Sequence, residues 1–302
     1  MLEKIALDGL AEQRSRRRWG IFFKLIGFAY VGVLIFSFLD FGGGEHISDG
    51  QRHTALIQLD GVIQAKGEAS ADMVVASLQS AFEDKGTAGI VLRINSPGGS
   101  PVQSGIIHDE IRRLRLKHPE VPLHVVVEDV CASGGYYVAA AADNIYVDKA
   151  SIVGSIGVLM DGFGYTGAME KLGVERRLLT AGENKGFMDP FSPQDAKQKA
   201  YAQEMLGEIH GQFIDAVRKG RGKRLKETPE MFSGLMWSGA KSVQLGLADG
   251  FGTVESVARD VLKAEDIRDY TVKQNFAERI AKQFGADMAE SAVRLLGRIE
   301  LR

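Results

Sequence analysis

The chain has 302 residues, 37 Lys and Arg against 39 Asp and Glu, and 45% hydrophobic residues. A net charge of −2 gives no basic footprint for nucleic acid. One cysteine, Cys131, excludes an internal disulfide framework, and the six histidines show no metal-ligand spacing, so no metal is expected.

The N-terminal segment has the strongest character. Arg14, Arg16, Arg17 and Arg18 precede an apolar run from Trp19 to Leu39 in which Lys24 is the one charge. At about 1.5 Å per residue that run makes roughly 31 Å of helix, the thickness of a bilayer core. The run is too long for a cleaved signal peptide, and no small-x-small site follows it. The arginines before it and Asp40, Glu45 and Asp49 after it predict a cytoplasmic N-terminus with the remainder outside. The expected organisation is a basic N-terminus over 1–18, a transmembrane helix over 19–39 and a glycine-rich linker over 40–52. A main domain follows over 53–265, and a helical tail over 266–302.

Within the main domain, "TALIQLDGVI" reads as a strand ending at the Asp60-Gly61 turn. "MVVASLQSAFEDKG" has helical periodicity. "AGIVLRINSPGGS" is a hydrophobic strand closed by a Pro-Gly-Gly turn, and Pro101 opens the next helix. "VPLHVVVEDV" is a second buried strand, followed by "CASGGYYVAAAAD" and the turn-rich "NIYVDKASIVGSIGVLM". "YTGAMEKLG" predicts a short helix, "VERRLLT" a strand, and residues 193–219 a long amphipathic helix. "SGAKSVQLGLADGFG" closes the domain with a helix and a turn. Strands alternating with helices predict an α/β fold with a mainly parallel sheet.

Two glycine turns, "NSPGGS" and "ASGGYY", each follow a buried strand and precede a helix. In such sheets the crevice forms at the carboxyl ends of the strands. Amides of Gly98 or Gly99 and of Gly134 are positioned to make an oxyanion hole beside Ser133. Neither turn carries the G-x-G-x-x-G of a dinucleotide site. Ser133 reads equally as a helix cap on its local pattern. As a nucleophile it needs a base. His108 and His124 fit a helix face and a buried strand better than that role. Lysine is the other known base for serine, once burial favours its neutral form. Lys185, in "AGENKGFMDPFSP", has glycines and apolar neighbours that suit it, although a solvated loop lysine has the same local pattern.

Taken in order, "INSPGGS", "CASGGYYVAAAAD", "VGSIGV", "YTGAMEKLGV", "AGENKGFMDPFSP" and "SGAKSVQLGLADGFG" resemble the signal peptide peptidase A family in its short bacterial form, over residues 53–262. The resemblance implies a fold of repeated β-β-α units shared with the Clp proteases and crotonases. It implies Ser133 as nucleophile, Lys185 as general base, Ser155 as the residue orienting the lysine, and Gly98, Gly99 and Gly134 at the oxyanion. It further implies a homo-oligomeric serine endopeptidase of the inner membrane, without cofactor. Its catalytic domain would face the periplasm, and its substrates would be residual signal peptides. The tail beyond about 265 does not align. The alternatives are a crotonase-like acyl-CoA enzyme and an inactive membrane scaffold.

Overall fold

The computed structural model describes residues 17–30, 32 and 51–273. Residues 17–30 form a helix, α1, whose apolar side chains are exposed. Among the described residues no helix is long and apolar enough to cross a membrane. The expected span over 19–39 is described only to residue 30 and at 32, and the tail over 274–302 lies outside the described residues.

One compact unit spans Gly50–Gln274. Its centre is an eight-stranded sheet in the order β6-β5-β3-β2-β1-β8, with β4 also beside β3 and β7 beside β4. The strands are β1 (His53–Asp60), β2 (Thr87–Ser96), β3 (Leu123–Ala132), β4 (Asn144–Val147), β5 (Ile152–Gly154), β6 (Met236–Ser238), β7 (Gly250–Phe251) and β8 (Ile267–Asp269). Every pairing is parallel except β5 with β6. The expected α/β fold with a mainly parallel sheet is therefore present.

Strand β3 serves two neighbours. His124–Val126 pair with β4, and Val130–Ala132 pair with β5. A register shift against β2 separates the two halves. That division lets β4 and β5 lie along one strand and carries the C-terminal end of β3 toward the site.

The helices cover the sheet through periodic faces. Helix α2 (Ala71–Glu83) buries Val74, Leu78, Ala81 and Phe82, and α3 (Pro101–Lys117) buries Ser104, Ile107, Ile111 and Leu114. Ser100 caps α3 by accepting from the Gln103 N–H, and Pro101 occupies the first turn, where its missing donor costs nothing. Helix α4 (Gly134–Ala139) runs into the buried alanines 139–142. Those small side chains admit α6 (Ala196–Arg221), whose Gly220 packs so closely that a Cβ there would lie 1.9 Å from the Ala140 carbonyl oxygen. Fully buried Arg221 donates bidentately to Asp249 at 2.9 Å and to the Gly246 carbonyl at 2.9 Å. Burial raises the Asp249 carboxyl, but the hydrogen bonds and charge of Arg221, the Ile145 N–H and the Arg224 charge together outweigh it and hold the group below its ordinary value. Helices α7 (Gly239–Leu245) and α8 (Val254–Ser256) complete the unit.

Residues 157–195 leave this framework. They carry one short helix, α5 (Thr166–Leu172), and none of them is buried. Leu159, Phe163, Leu172 and Leu179 are 81%, 74%, 78% and 96% exposed, so this apolar surface has no cover among the described residues. The strand expected at "VERRLLT" does not form. Residues 174–180 are exposed and join no sheet. A strand needs a partner edge for its backbone groups, and in the excursion none is at hand.

Candidate active site

Strand β3 ends at Ala132 and the chain turns at once into α4, with Ser133 between them. Ser133 has φ 50° and ψ −122°, a conformation that L-residues rarely adopt and that surrounding structure must enforce. Its N–H donates to the Gly154 carbonyl at 2.8 Å, and its carbonyl accepts from the Tyr137 N–H at 3.0 Å. Ser133 occupies the N-cap position of α4, yet its hydroxyl caps nothing. Among the described residues Oγ has no hydrogen-bond partner. The hydroxyl instead borders a cavity of about 790 Å³. Helix capping therefore does not account for this serine.

The Pro-Gly-Gly turn is pressed against the serine turn. A Cβ on Gly98 would lie 2.7 Å from both Ser133 Cβ and the Gly134 nitrogen. Gly98 also has φ 101°, so glycine is required there twice over. The exit of β1 pins this turn: the Ile63 N–H donates to the Gly98 carbonyl at 2.8 Å, and the Ser100 N–H to the Ile63 carbonyl at 2.8 Å. Buried Ser96 adds a second tie. Its Oγ donates to the Gly61 carbonyl at 2.6 Å and accepts from the Gly98 N–H at 3.1 Å.

These bonds separate the three glycines named from sequence. The Gly98 amide is committed to Ser96, so Gly98 serves by close approach and not as an oxyanion donor. The Gly99 and Gly134 amides have no acceptor among the described residues. A Cβ built on Gly134 would lie 3.2 Å from the Gly99 nitrogen, which puts the two free donors side by side next to Ser133. Two unpartnered N–H groups beside a free hydroxyl can stabilise an oxygen anion formed by attack at a carbonyl. No residue pattern marks Ser96 and Ile63, because each ties this turn to a segment about 35 residues away, Ile63 through its backbone and Ser96 through its side chain on Gly61.

Replacing Ser96 by Ala should release the Gly98 amide and loosen the turn. The expected outcome in steady-state peptide hydrolysis is a fall in kcat of about tenfold with KM within about twofold, since the donors act on developing charge. Ser96→Thr should recover most of the loss. A rise in KM at unchanged kcat would contradict this role.

Ser155 borders the same cavity as Ser133, Gly99 and Gly134. It has φ 51°, and its N–H donates to the Leu235 carbonyl at 2.8 Å. Antiparallel pairing of Gly154 with Met236 and of Val153 with Trp237 fixes this turn. Lys185 is not brought to the cavity. It is exposed, in the excursion, in a turn where its N–H donates to the Gly182 carbonyl at 3.1 Å. Neither His108 nor His124 lines the cavity. Both are buried, and burial pushes both imidazoles below their ordinary pKa. Cys131, two residues before Ser133, is fully buried, and burial pushes its thiol up, away from the reactive thiolate.

Comparison with known proteins agrees with this geometry. The profile of Peptidase family S49 matches residues 115–268, about half of the chain. A putative protease of Methanocaldococcus jannaschii is 32% identical over 266 residues, covering 84% of this chain and 84% of that protein. A putative signal peptide peptidase SppA of Enterococcus faecium is 29% identical over 238 residues, covering 76% of this chain and 69% of that protein. A protein of Brucella abortus named as a Na(+)/H(+) antiporter NhaA is 43% identical over 209 residues. That match covers 68% of this chain and 28% of the antiporter, so the chain spans under a third of that relative's length. Ser133 and Gly134 lie inside the region matched by the family profile, and the Gly98–Gly99 turn lies before it. The chain belongs to Peptidase family S49, the family of signal peptide peptidase A.

Proposed function

We propose that the chain is a membrane-anchored endopeptidase in which Ser133 is the nucleophile, Lys185 the general base and Ser155 the residue that orients the lysine. The observation that carries this reading is the pair of unpartnered Gly99 and Gly134 amides beside an uncommitted Ser133 hydroxyl. Neutral Lys185 Nζ takes the Oγ proton as Oγ adds to the scissile carbonyl. The two amides hold the resulting oxyanion. The tetrahedral intermediate collapses, the C–N bond breaks, and the Lys185 ammonium returns its proton to the leaving amine. Water then repeats the sequence on the acyl-enzyme. The route uses only side chains, backbone amides and water.

Lys185 stands outside the cavity within one chain, so the reading includes a homo-oligomer. The exposed apolar side chains of the excursion favour cover by a second copy. Such cover would bury the lysine, which favours the neutral amine. Substrates are extended apolar peptides, and residual signal peptides fit the mostly apolar lining. The labelling experiment is direct: a fluorophosphonate should label the full-length protein at Ser133, and Ser133→Ala should not label. Wild-type protein that never labels would overturn the reading.

The apolar run after the arginines supports an inner-membrane anchor with the catalytic unit on the periplasmic side. A phosphatase reporter fused after residue 50 should be active, because that enzyme matures outside the cytoplasm. An inactive fusion made in normal amount would reverse the orientation.

A further inference from the structure

The cavity beside Ser133 has walls of Val102, Ile106, Tyr137, Ile209 and Phe213, and among its lining residues Asp109 alone carries a charge. Val102, Gly105, Ile106 and Asp109 recur at the spacing of one helix face, so α3 presents an apolar strip that ends in a carboxylate. The Asp109 side chain is 82% exposed. Among the described residues its hydrogen-bond partner is His108, whose Nδ1 lies 2.9 Å from Oδ1. Burial keeps that imidazole in its neutral form at neutral pH, so it orients Asp109 without cancelling its charge.

We propose that Asp109 is a specificity-determining residue that selects peptides carrying a lysine or arginine a short way from the scissile bond. This inference rests on the endopeptidase reading and names its substrate class. A long basic side chain matches both parts of the site: its aliphatic stem covers the apolar strip, and its cationic head reaches the carboxylate. Helix rise places Asp109 about 12 Å along α3 from Pro101, two residues past Gly99. That is the length of two to three residues of extended peptide plus part of a side chain, so the selected residue is near the cut and not at it. A glutamate at the same peptide position would meet a like charge.

The experiment uses the full chain and a set of fluorogenic peptides identical except for Lys, Leu or Glu at each position flanking the cut. One position should favour Lys over Glu by about fivefold or more in kcat/KM, as expected for one partly solvated ion pair. Asp109→Asn should bring that ratio close to one. Asp109→Lys should invert it. Equilibrium binding of the same peptides to Ser133→Ala, read by fluorescence anisotropy, tests charge selection without turnover. A Lys preference there, lost in Ser133→Ala/Asp109→Asn, supports the proposal even if no peptide is cleaved. Cleavage or binding with equal preference for Lys and Glu, or a preference that survives Asp109→Asn, overturns it and leaves the endopeptidase reading intact.

Discussion

Replacing Ser133 by Ala is expected to lower kcat/KM for peptide hydrolysis by about four to six orders of magnitude. The effect follows from the role of the hydroxyl as the atom that bonds to substrate. Among the described residues no other nucleophile stands ready: Cys131 is fully buried with its thiol pushed up, the Ser104 and Ser233 hydroxyls donate to the Ser100 and Glu230 carbonyls, and Ser155 is held in a separate turn. The substitution removes one oxygen that makes no hydrogen bond among the described residues, so its cost to stability should be small. A thermal melt should place the variant within a few degrees of wild type. Peptide affinity should persist, because the cavity walls and both free amides remain. A variant that keeps more than about a hundredth of the rate would show that another group attacks the carbonyl.

The second large effect concerns Lys185. Lys185→Met should abolish hydrolysis to a similar extent, and Lys185→Arg should not rescue it, since a guanidinium does not give up its proton near neutral pH. The position of Lys185, exposed and away from the cavity in its own chain, adds a sharper expectation. Mixed assemblies of Ser133→Ala and Lys185→Met subunits should regain activity, to roughly a quarter of wild type for random mixing in a closed ring with shared sites. Each inactive subunit supplies what its neighbour lacks. Mixtures that exchange subunits, as read by energy transfer between labelled chains, yet stay inactive would overturn sharing and require each excursion to close over its own serine.

Much of the fold is visible in the residues because the responsible forces are local. The unbroken apolar runs in β2 and β3 announce strands covered on both faces. Ser100 and Pro101 mark the start of α3, and Asp195 caps α6 by accepting from the Lys197 and Gln198 N–H groups. Strands β6 and β7, of three and two residues, have no pattern long enough to read, and their existence depends on neighbours far along the chain. The error at residues 174–180 has the same origin: the apolar content suits a strand, but pairing is decided by whether an edge is free nearby. The site divides in the same way. The two glycine turns and Ser133 could be found from their place between strand and helix. The distinction between Gly98 and Gly99 could not, because it lies in one hydrogen bond to Ser96. The remoteness of Lys185 is likewise invisible in a string that places lysine among glycines and aromatic residues.

The hold on Ser133 has a bearing on how the protein is made. Its peptide N–H is gripped by Gly154, and the Gly154–Ser155 turn is in turn gripped by Leu235 and β6, about a hundred residues further on. A polypeptide still growing on the ribosome and not yet extended past residue 238 lacks the strand that locks this turn. The turn that holds the proposed nucleophile is thus locked only after residue 238 has emerged, and a shorter nascent copy lacks the strand pairing that sets Ser133.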